Sequence, residues 1–330
     1  VAVVSLLMPM RNAASFLIET IQSIQTQSFQ DWELIIVNDH STDKGPSLAK
    51  QEANKDYRIL YFENGENGII PALTLALEKA SGTYISRMDA DDIMPPRRLS
   101  TMIEAISQAP SKTIVTGLVK YFSEKEISDG YKKYEKWINE INLNGLQWQN
   151  IYRECVIASP NWITRKNELK SLGGFNNLNY PEDYDLVFKW YKNDYQIITI
   201  PEVTLLWREH GARTSRNSDH YVQQAFFNMK VREFILNELT DRPLVLWGAL
   251  DKGQLAASIL NHLEINYIWM DMHKNDSFIG KQKIGYFKDI ENIKSPQILI
   301  SVYPEDKDRQ RIKSYLGDQD LIEGKNFWYL

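Results

Sequence analysis

Three carboxylates stand within four residues in Arg87-Met88-Asp89-Ala90-Asp91-Asp92. They follow Thr83-Tyr84-Ile85-Ser86, a short run that reads as a strand. In a turn at the strand end Asp89 and Asp91 can converge. Converging carboxylates repel unless a cation neutralises them. A hard divalent ion suits such ligands, and Mg²⁺ typically binds through one or two carboxylates plus substrate phosphates. The segment therefore points to a site for a metal and a phosphorylated ligand. A solvated acidic turn is the plain alternative.

The elements that would position this segment can be read along the chain. Val3–Met8 is an apolar run ending at Pro9, and Ala14–Gln27 carries Leu17, Ile21 and Ile24 at helical spacing. Glu33–Val37, Arg58–Phe62, Thr83–Arg87 and Thr113–Val119 read as strands. Leu73, Leu77 and Ala80 mark a helix stopped by Gly82, and Pro95-Pro96 opens another that runs to Gln108. This alternation predicts an α/β fold with a mostly parallel sheet flanked by helices. In such sheets ligands gather beyond the carboxyl ends of the strands. Pro9–Asn12, Asn38–Asp43 and Asp89–Asp92 all fall at such ends, so one crevice can hold them together.

Residues 120–180 lose this rhythm and are charged and aromatic. Tyr121, Phe122, Tyr131, Tyr134, Trp137, Trp148, Tyr152 and Trp162 could face sugar rings or fill a core. Glu182–Tyr191 reads as a short helix, Ile197–Ile200 as a strand and Trp207-Arg208-Glu209-His210-Gly211 as a polar turn. Tyr221–Leu239 reads as a long amphipathic connector. A second α/β pattern follows: strands Leu244–Trp247, Tyr267–Met270 and Ile298–Val302, a helix bearing Leu255, Ile259 and Leu263, and a helix Asp306–Leu316. The expected organisation is a first domain over 1–218, a connecting helix over 219–240 and a small Rossmann-like α/β domain over 241–330.

Composition narrows the function classes. The chain has 330 residues, 43% hydrophobic and 25% charged, which places it among globular proteins. A net charge of −5 argues against a nucleic-acid partner. Cys155 is the only cysteine, which excludes an internal disulfide and a multi-cysteine zinc site. No apolar run approaches the ~20 residues that span a bilayer. Val1–Met8 lacks a basic leader and is expected as a buried strand rather than a signal peptide. The expected location is cytoplasmic, with room for peripheral contact at the inner face of the plasma membrane.

Taken in order, the motifs resemble the inverting family 2 glycosyltransferases of the GT-A fold. The resemblance covers residues 3–215. It rests on Met8-Pro9-Met10-Arg11-Asn12, Val37-Asn38-Asp39-His40-Ser41-Thr42-Asp43, Asn67-Gly68, Ala80-Ser81-Gly82, Arg87–Asp92, Gly173-Gly174-Phe175, Glu182-Asp183-Tyr184-Asp185-Leu186 and Trp207-Arg208-Glu209-His210. It implies a GT-A domain that takes a nucleotide-sugar, with UDP as the family's usual carrier, and Mn²⁺ or Mg²⁺. By resemblance Asp39 contacts the uracil, Pro9 and Asn12 line the nucleotide pocket, and Asp89 faces the ribose and metal region. Asn67, Arg87, Gly174 and Glu182 belong to the same donor-binding set, Gly173-Gly174 allowing close backbone approach. Asp91 and His210 are the implied metal ligands, and Asp183 is the implied general base. The implied acceptor is a hydroxyl of a glycan, a lipid-linked sugar or a glycoprotein. The chain departs from the family pattern at His40, where a small residue is common, and at Leu73-Thr74, where Arg-Asn is common.

In the second pattern Gly248 and Gly253 match two glycines of a dinucleotide fingerprint, and Asp271 supplies the acid beyond it. Leu250 replaces the middle glycine that lets a pyrophosphate approach the backbone. The expected module is Rossmann-like without a bound dinucleotide, available for assembly or partner binding. Two other functions share some of these features. A sugar-phosphate nucleotidyltransferase also needs acidic metal ligands, but Val1–Ser15 contains no glycine for its loop. A non-catalytic carbohydrate-binding scaffold would have no need of Asp39, Asp91, Asp183 and His210 together.

Overall fold

The structure is a computed structural model. It describes residues 2–175, 179–211, 213, 222–273, 277–302 and 306–330, without the side chains of 306–308. The chain divides into two compact units, Val1–Gln147 with Val156–Asn217, and Trp148–Cys155 with Ser218–Leu330. The boundary expected at 218, and Tyr221 as the expected helix start, lie outside the described residues.

The first unit is built on strands β1 (Val4–Met10), β2 (Trp32–Asn38), β3 (Ile59–Glu63), β4 (Tyr84–Arg87), β5 (Thr113–Phe122), β6 (Trp162–Arg165) and β7 (Gln196–Arg208). They form one sheet in the order β3-β2-β1-β4-β6-β5-β7. β1 and β2 are near-continuous apolar runs because helices cover both faces of a parallel sheet. The helices are α1 (Leu17–Gln25), α2 (Gly45–Lys55), α3 (Ile69–Lys79), α4 (Arg98–Gln108), α5 (Asp129–Leu143), α6 (Lys166–Ser171) and α7 (Glu182–Lys192). Leu17, Ile21 and Ile24 of α1 and Leu99, Met102 and Ile106 of α4 are buried at helical spacing. Ala80-Ser81-Gly82 closes the turn into β4. Glu33 accepts hydrogen bonds from the Ser81 and Gly82 amides, and a Cβ on Gly82 would come within 2.7 Å of the Ser5 nitrogen.

Two expectations need correction. The stretch 120–180 carries α5, β6 and α6, and β6 runs antiparallel between β4 and β5. Its aromatics are packing partners: Tyr121 stacks on Trp207 at 5.0 Å, and Trp162 meets Trp190 edge-on at 5.3 Å. The strand expected over Ile197–Ile200 continues to Arg208, so Trp207 and Arg208 end a strand. Pro201 and Glu202 lie at the break, where the register along β5 jumps from Gly117–Ile200 to Leu118–Val203. A proline, which lacks an amide donor, fits there.

The second unit holds α8 (Gln223–Asn237), β8 (Leu244–Trp247), α9 (Asp251–His262), β9 (Ile268–Asp271), β10 (Ser277–Ile279), β11 (Gln282–Tyr286), β12 (Gln297–Ile300), α10 (Asp306–Gly317) and β13 (Phe327–Tyr329). The sheet order is β10-β11-β9-β8-β12-β13, parallel except for β10. Residues Trp148–Cys155 belong to it through Tyr152, whose ring meets Phe234 edge-on at 5.7 Å. The Lys230 ammonium also donates to the Arg153 carbonyl at 2.6 Å.

Gly248 and Gly253 form the tight turn between β8 and α9. A Cβ on Gly253 would fall 2.0 Å from the Gly248 carbonyl oxygen. Asp271, which would meet a ribose, is spent internally. Its carboxylate accepts the Ala249 amide at 2.8 Å and the His273 amide at 2.7 Å. Leu250 stands exposed at the helix start. The full chain is therefore expected to bind neither NAD⁺ nor NADPH. Calorimetric titration checks this, and micromolar affinity for either would contradict it.

Candidate active site

The carboxyl ends of β2, β1 and β4 lie side by side, with Met10 level with Asn38 and Leu7 level with Arg87. Hydrogen bonds zip the loops that leave β1 and β2. The Asn12 amide donates to Ser41 Oγ at 2.9 Å, and the Thr42 amide donates to Asn12 Oδ1 at 2.8 Å. Asn12 holds φ 51°, a conformation asparagine tolerates. His40 holds φ 54°, a left-handed conformation in which histidine is among the commoner non-glycine residues.

Asp39 is almost fully buried and gathers three loops. Its Oδ1 accepts the Gly68 amide at 2.8 Å and the Asn64 side-chain amide at 3.0 Å. Its Oδ2 lies 3.5 Å from Arg11 Nη1. Gly68 has φ 117°, and a Cβ there would reach within 3.0 Å of the Tyr180 hydroxyl, so glycine is required. Asn64 escaped the sequence reading, which took Asn67-Gly68 as a motif and gave a site role to Asn67 alone. Asn67 is exposed on the same loop, and Pro9 sits within β1 opposite Val37. Leu73 is buried in the core face of α3 and offers no polar contact.

Arg87, the last residue of β4, is buried and grips two carboxylates. Its Nε donates to Asp89 Oδ1 at 2.7 Å and its Nη1 to Glu182 Oε1 at 2.9 Å. Arg98 lies beneath the same loop at 1% exposure and donates to Ser86 Oγ and the carbonyls of Arg87 and Pro160. Burial pushes the carboxyls of Asp89 and Asp92 up. Asp91 adds to both shifts, while Arg87 opposes that of Asp89. Asp92 Oδ1 accepts the Arg208 amide at 2.8 Å, and its buried Oδ2 has no hydrogen-bond partner among the described residues.

Asp91 points to the rim. Its Oδ2 lies 2.9 Å from His210 Nε2, and both side chains are partly exposed. Among the described residues no three metal-ligating side chains stand together. Asp91 and His210 fit a divalent ion that takes its remaining ligands from phosphate oxygens and water, as Mg²⁺ and Mn²⁺ sites often do. The crowded carboxylates around them favour a cation electrostatically.

Across the crevice, a cis Tyr180–Pro181 bond leads into α7. Glu182 is buried against Arg87, whereas Asp183 is partly exposed and accepts its neighbour's Tyr184 amide at 2.8 Å. Burial, then the adjacent Glu182 charge, pushes the Asp183 carboxyl up to about 7, with Arg87 opposing. Asp185 is committed elsewhere, to Lys189 at 2.9 Å and Asn179 at 3.1 Å. The Lys189 ammonium also donates to the Gly174 carbonyl at 2.9 Å. Gly173 and Gly174 cap α6 with amides donated to the Lys170 and Leu169 carbonyls at positive φ. Their local role is thus helix termination, with Gly174 against Leu77.

The sequence pattern of Glycosyl transferase family 2 matches residues 5–170, half of the chain. The chain belongs to glycosyltransferase family 2. It is 29% identical over 223 residues to an uncharacterized glycosyltransferase of Haemophilus influenzae, covering 66% of this chain and 68% of that one. Two solved structures share the GT-A fold. One is S. aureus TarS 1–349 in complex with UDP-GlcNAc, with TM-score 0.54 and 18% identity over 78% of this chain and 71% of that one. The other is the mannosyltransferase PcManGT of Pyrobaculum calidifontis in complex with GDP-Man and Mn²⁺, with TM-score 0.52 and 20% identity over 79% and 70%. The chain is therefore a glycosyltransferase on a GT-A fold.

For a family 2 transferase the buried Arg87 bridge is the feature most exposed to damage. Arg87→Met would leave Asp89 and Glu182 without their shared cation. Breaking a buried ion pair typically costs about 3–5 kcal/mol. A loss of that size is expected for the first unit in denaturant unfolding, and a change below about 1 kcal/mol would show that the bridge is not holding the site.

Proposed function

We propose that the chain is a metal-dependent inverting transferase that moves a sugar from a nucleoside diphosphate, UDP in the first instance, to a hydroxyl of a glycan or lipid-linked sugar. The observation that carries this reading is Asp183. It is a partly exposed carboxylate held beside the acidic loop and pushed up to about 7, the range suited to a general base at neutral pH. Asp39 Oδ2, which lies 3.5 Å from the exposed Arg11, would accept a base N–H, since Oδ1 is already taken by Gly68 and Asn64. Pro9, Asn12, Asn67, Asp89 and Gly174 complete the donor side of this reading. Arg87 and Glu182 are placed there as its buried support.

Asp91 and His210 would hold Mn²⁺ or Mg²⁺, and one imidazole in the set favours Mn²⁺ over the oxygen-seeking Mg²⁺. Bound there, the ion would stabilise the charge that builds on the departing diphosphate. Asp183 removes the acceptor proton as its oxygen attacks the anomeric carbon from the face opposite the diphosphate. One displacement inverts the centre, and no covalent enzyme intermediate is required. The H. influenzae relative and the TarS and PcManGT folds support a transferase. They leave the sugar to be found by a screen of UDP-, GDP- and dTDP-sugars.

Two tests follow. Asp183→Asn is expected to keep UDP affinity within a few-fold and to lower transfer by roughly 10²-fold or more. Lost UDP affinity with an unchanged saturated rate would make Asp183 a binding residue instead. Because Asp183 works only when ionised, kcat/KM should fall about tenfold per pH unit below its raised value, near pH 7. A profile flat from pH 5 to 8 would remove Asp183 as the base.

Asp91→Ala is expected to abolish Mn²⁺-dependent turnover while the circular dichroism spectrum stays unchanged. Full activity in excess chelator would take the ion out of the mechanism.

A further inference from the structure

Arg208 ends β7, two residues before His210, and the sequence reading gave it no role. Its contacts converge on the Asp91–His210 pair. Its backbone amide donates to Asp92 Oδ1 at 2.8 Å, and its Nε donates to the Asp91 carbonyl at 2.7 Å. Ile93 and Leu206 exchange backbone hydrogen bonds at 3.1 and 3.0 Å, so the acidic loop is stitched to β7. The guanidinium lies over two rings, 4.9 Å from the centre of Phe16 and 4.5 Å from that of Phe122. Its Nη2 donates to Glu19 on α1. Phe16 also meets His210 itself, whose ring centre lies 4.4 Å away.

We infer that Arg208 is a positioning residue that fixes Asp91 and His210 as one unit, and that a guanidinium is required rather than a positive charge. Its Nε sets the Asp91 backbone. Its plane holds Phe16, and Phe16 seats the His210 imidazole. A lysine ammonium is a point donor on a flexible stem. It cannot present a flat face to two rings while keeping one N–H on the Asp91 carbonyl and another on Glu19. Glu19 is 61% exposed, so it orients the fork without contributing to the core.

This inference rests on the metal reading proposed above. The test is Mn²⁺ binding in the presence of UDP, followed by loss of the free-ion electron paramagnetic resonance signal, with uridine affinity measured without metal as the control. Arg208→Lys is expected to weaken Mn²⁺ binding by about tenfold while uridine affinity, set by the Asp39 side, stays within twofold. Glu19→Gln, a surface change that should leave the fold intact, is expected to weaken Mn²⁺ by about threefold. In metal-free protein the His210 imidazole resonances should lose their ring-current shift from Phe16 in Arg208→Lys. Unchanged Mn²⁺ affinity in Arg208→Lys overturns the inference, as does unchanged affinity in Glu19→Gln should the lysine variant not fold. Equal losses of uridine and Mn²⁺ affinity also overturn it, because they mark general disruption. A wild-type chain that binds no Mn²⁺ with UDP overturns the metal reading itself.

Discussion

One buried guanidinium organises this site. Arg87 ends the strand beside β1 and reaches both Asp89 of the acidic loop and Glu182 at the start of α7. The two carboxylates come from segments 93 positions apart, and neither could be buried alone without a heavy desolvation cost. Their shared partner ties the acidic loop to the start of α7, next to Asp183. The Lys189–Asp185 pair ties down the same helix one turn on. The position of Asp183 is thus set by buried ionic and backbone constraints rather than by an exposed loop.

Around that bridge negative charge accumulates. Asp89, Asp91, Asp92, Glu182 and Asp183 crowd one region, and burial raises the carboxyls of Asp89, Asp92 and Asp183 together. Two like charges 4 Å apart at an effective dielectric near 20 repel by about 4 kcal/mol. Such an arrangement is stable at neutral pH only with compensating cations. Arg87 and Arg98 supply part of the compensation from below. A divalent ion at Asp91 and His210 would supply it at the rim, where the donor phosphates would lie. The Glu182 and Asp89 charges in the same crowd also help to push the Asp183 carboxyl up.

Much of this was legible in the sequence because parallel strands buried on both faces appear as continuous apolar runs. β1, β2, β4 and the helices between them follow that pattern, and the motifs at their carboxyl ends fall on neighbouring strand ends. Other features depend on pairing that a single chain does not display. β6 hides in an aromatic stretch because its residues face a mixed core, and β7 extends past Pro201 through a bulge that resembles a strand end. Asp39 stands out by resemblance alone, and its three-loop knot needs the Gly68 amide and Asn64, distant in sequence. Asp183 is preferred over Asp185 by resemblance alone, and the Lys189 ion pair that occupies Asp185 appears only in the structure. The Gly248–Gly253–Asp271 fingerprint was visible in the second unit, but only the structure reveals that Asp271 is already bonded to the turn it would have to leave.

The central claim is that Asp39, Asp91 and Asp183 act on one donor molecule. A crystal structure of the chain with Mn²⁺ and an unreactive UDP-sugar analogue tests it most directly. The account predicts the uracil on Asp39 Oδ2, the ion bound by Asp91 and His210 beneath the diphosphate, and the Asp183 carboxylate facing the anomeric carbon from the side opposite the leaving group. A donor seated with Asp183 on the diphosphate side, or an ion held without Asp91, would contradict it.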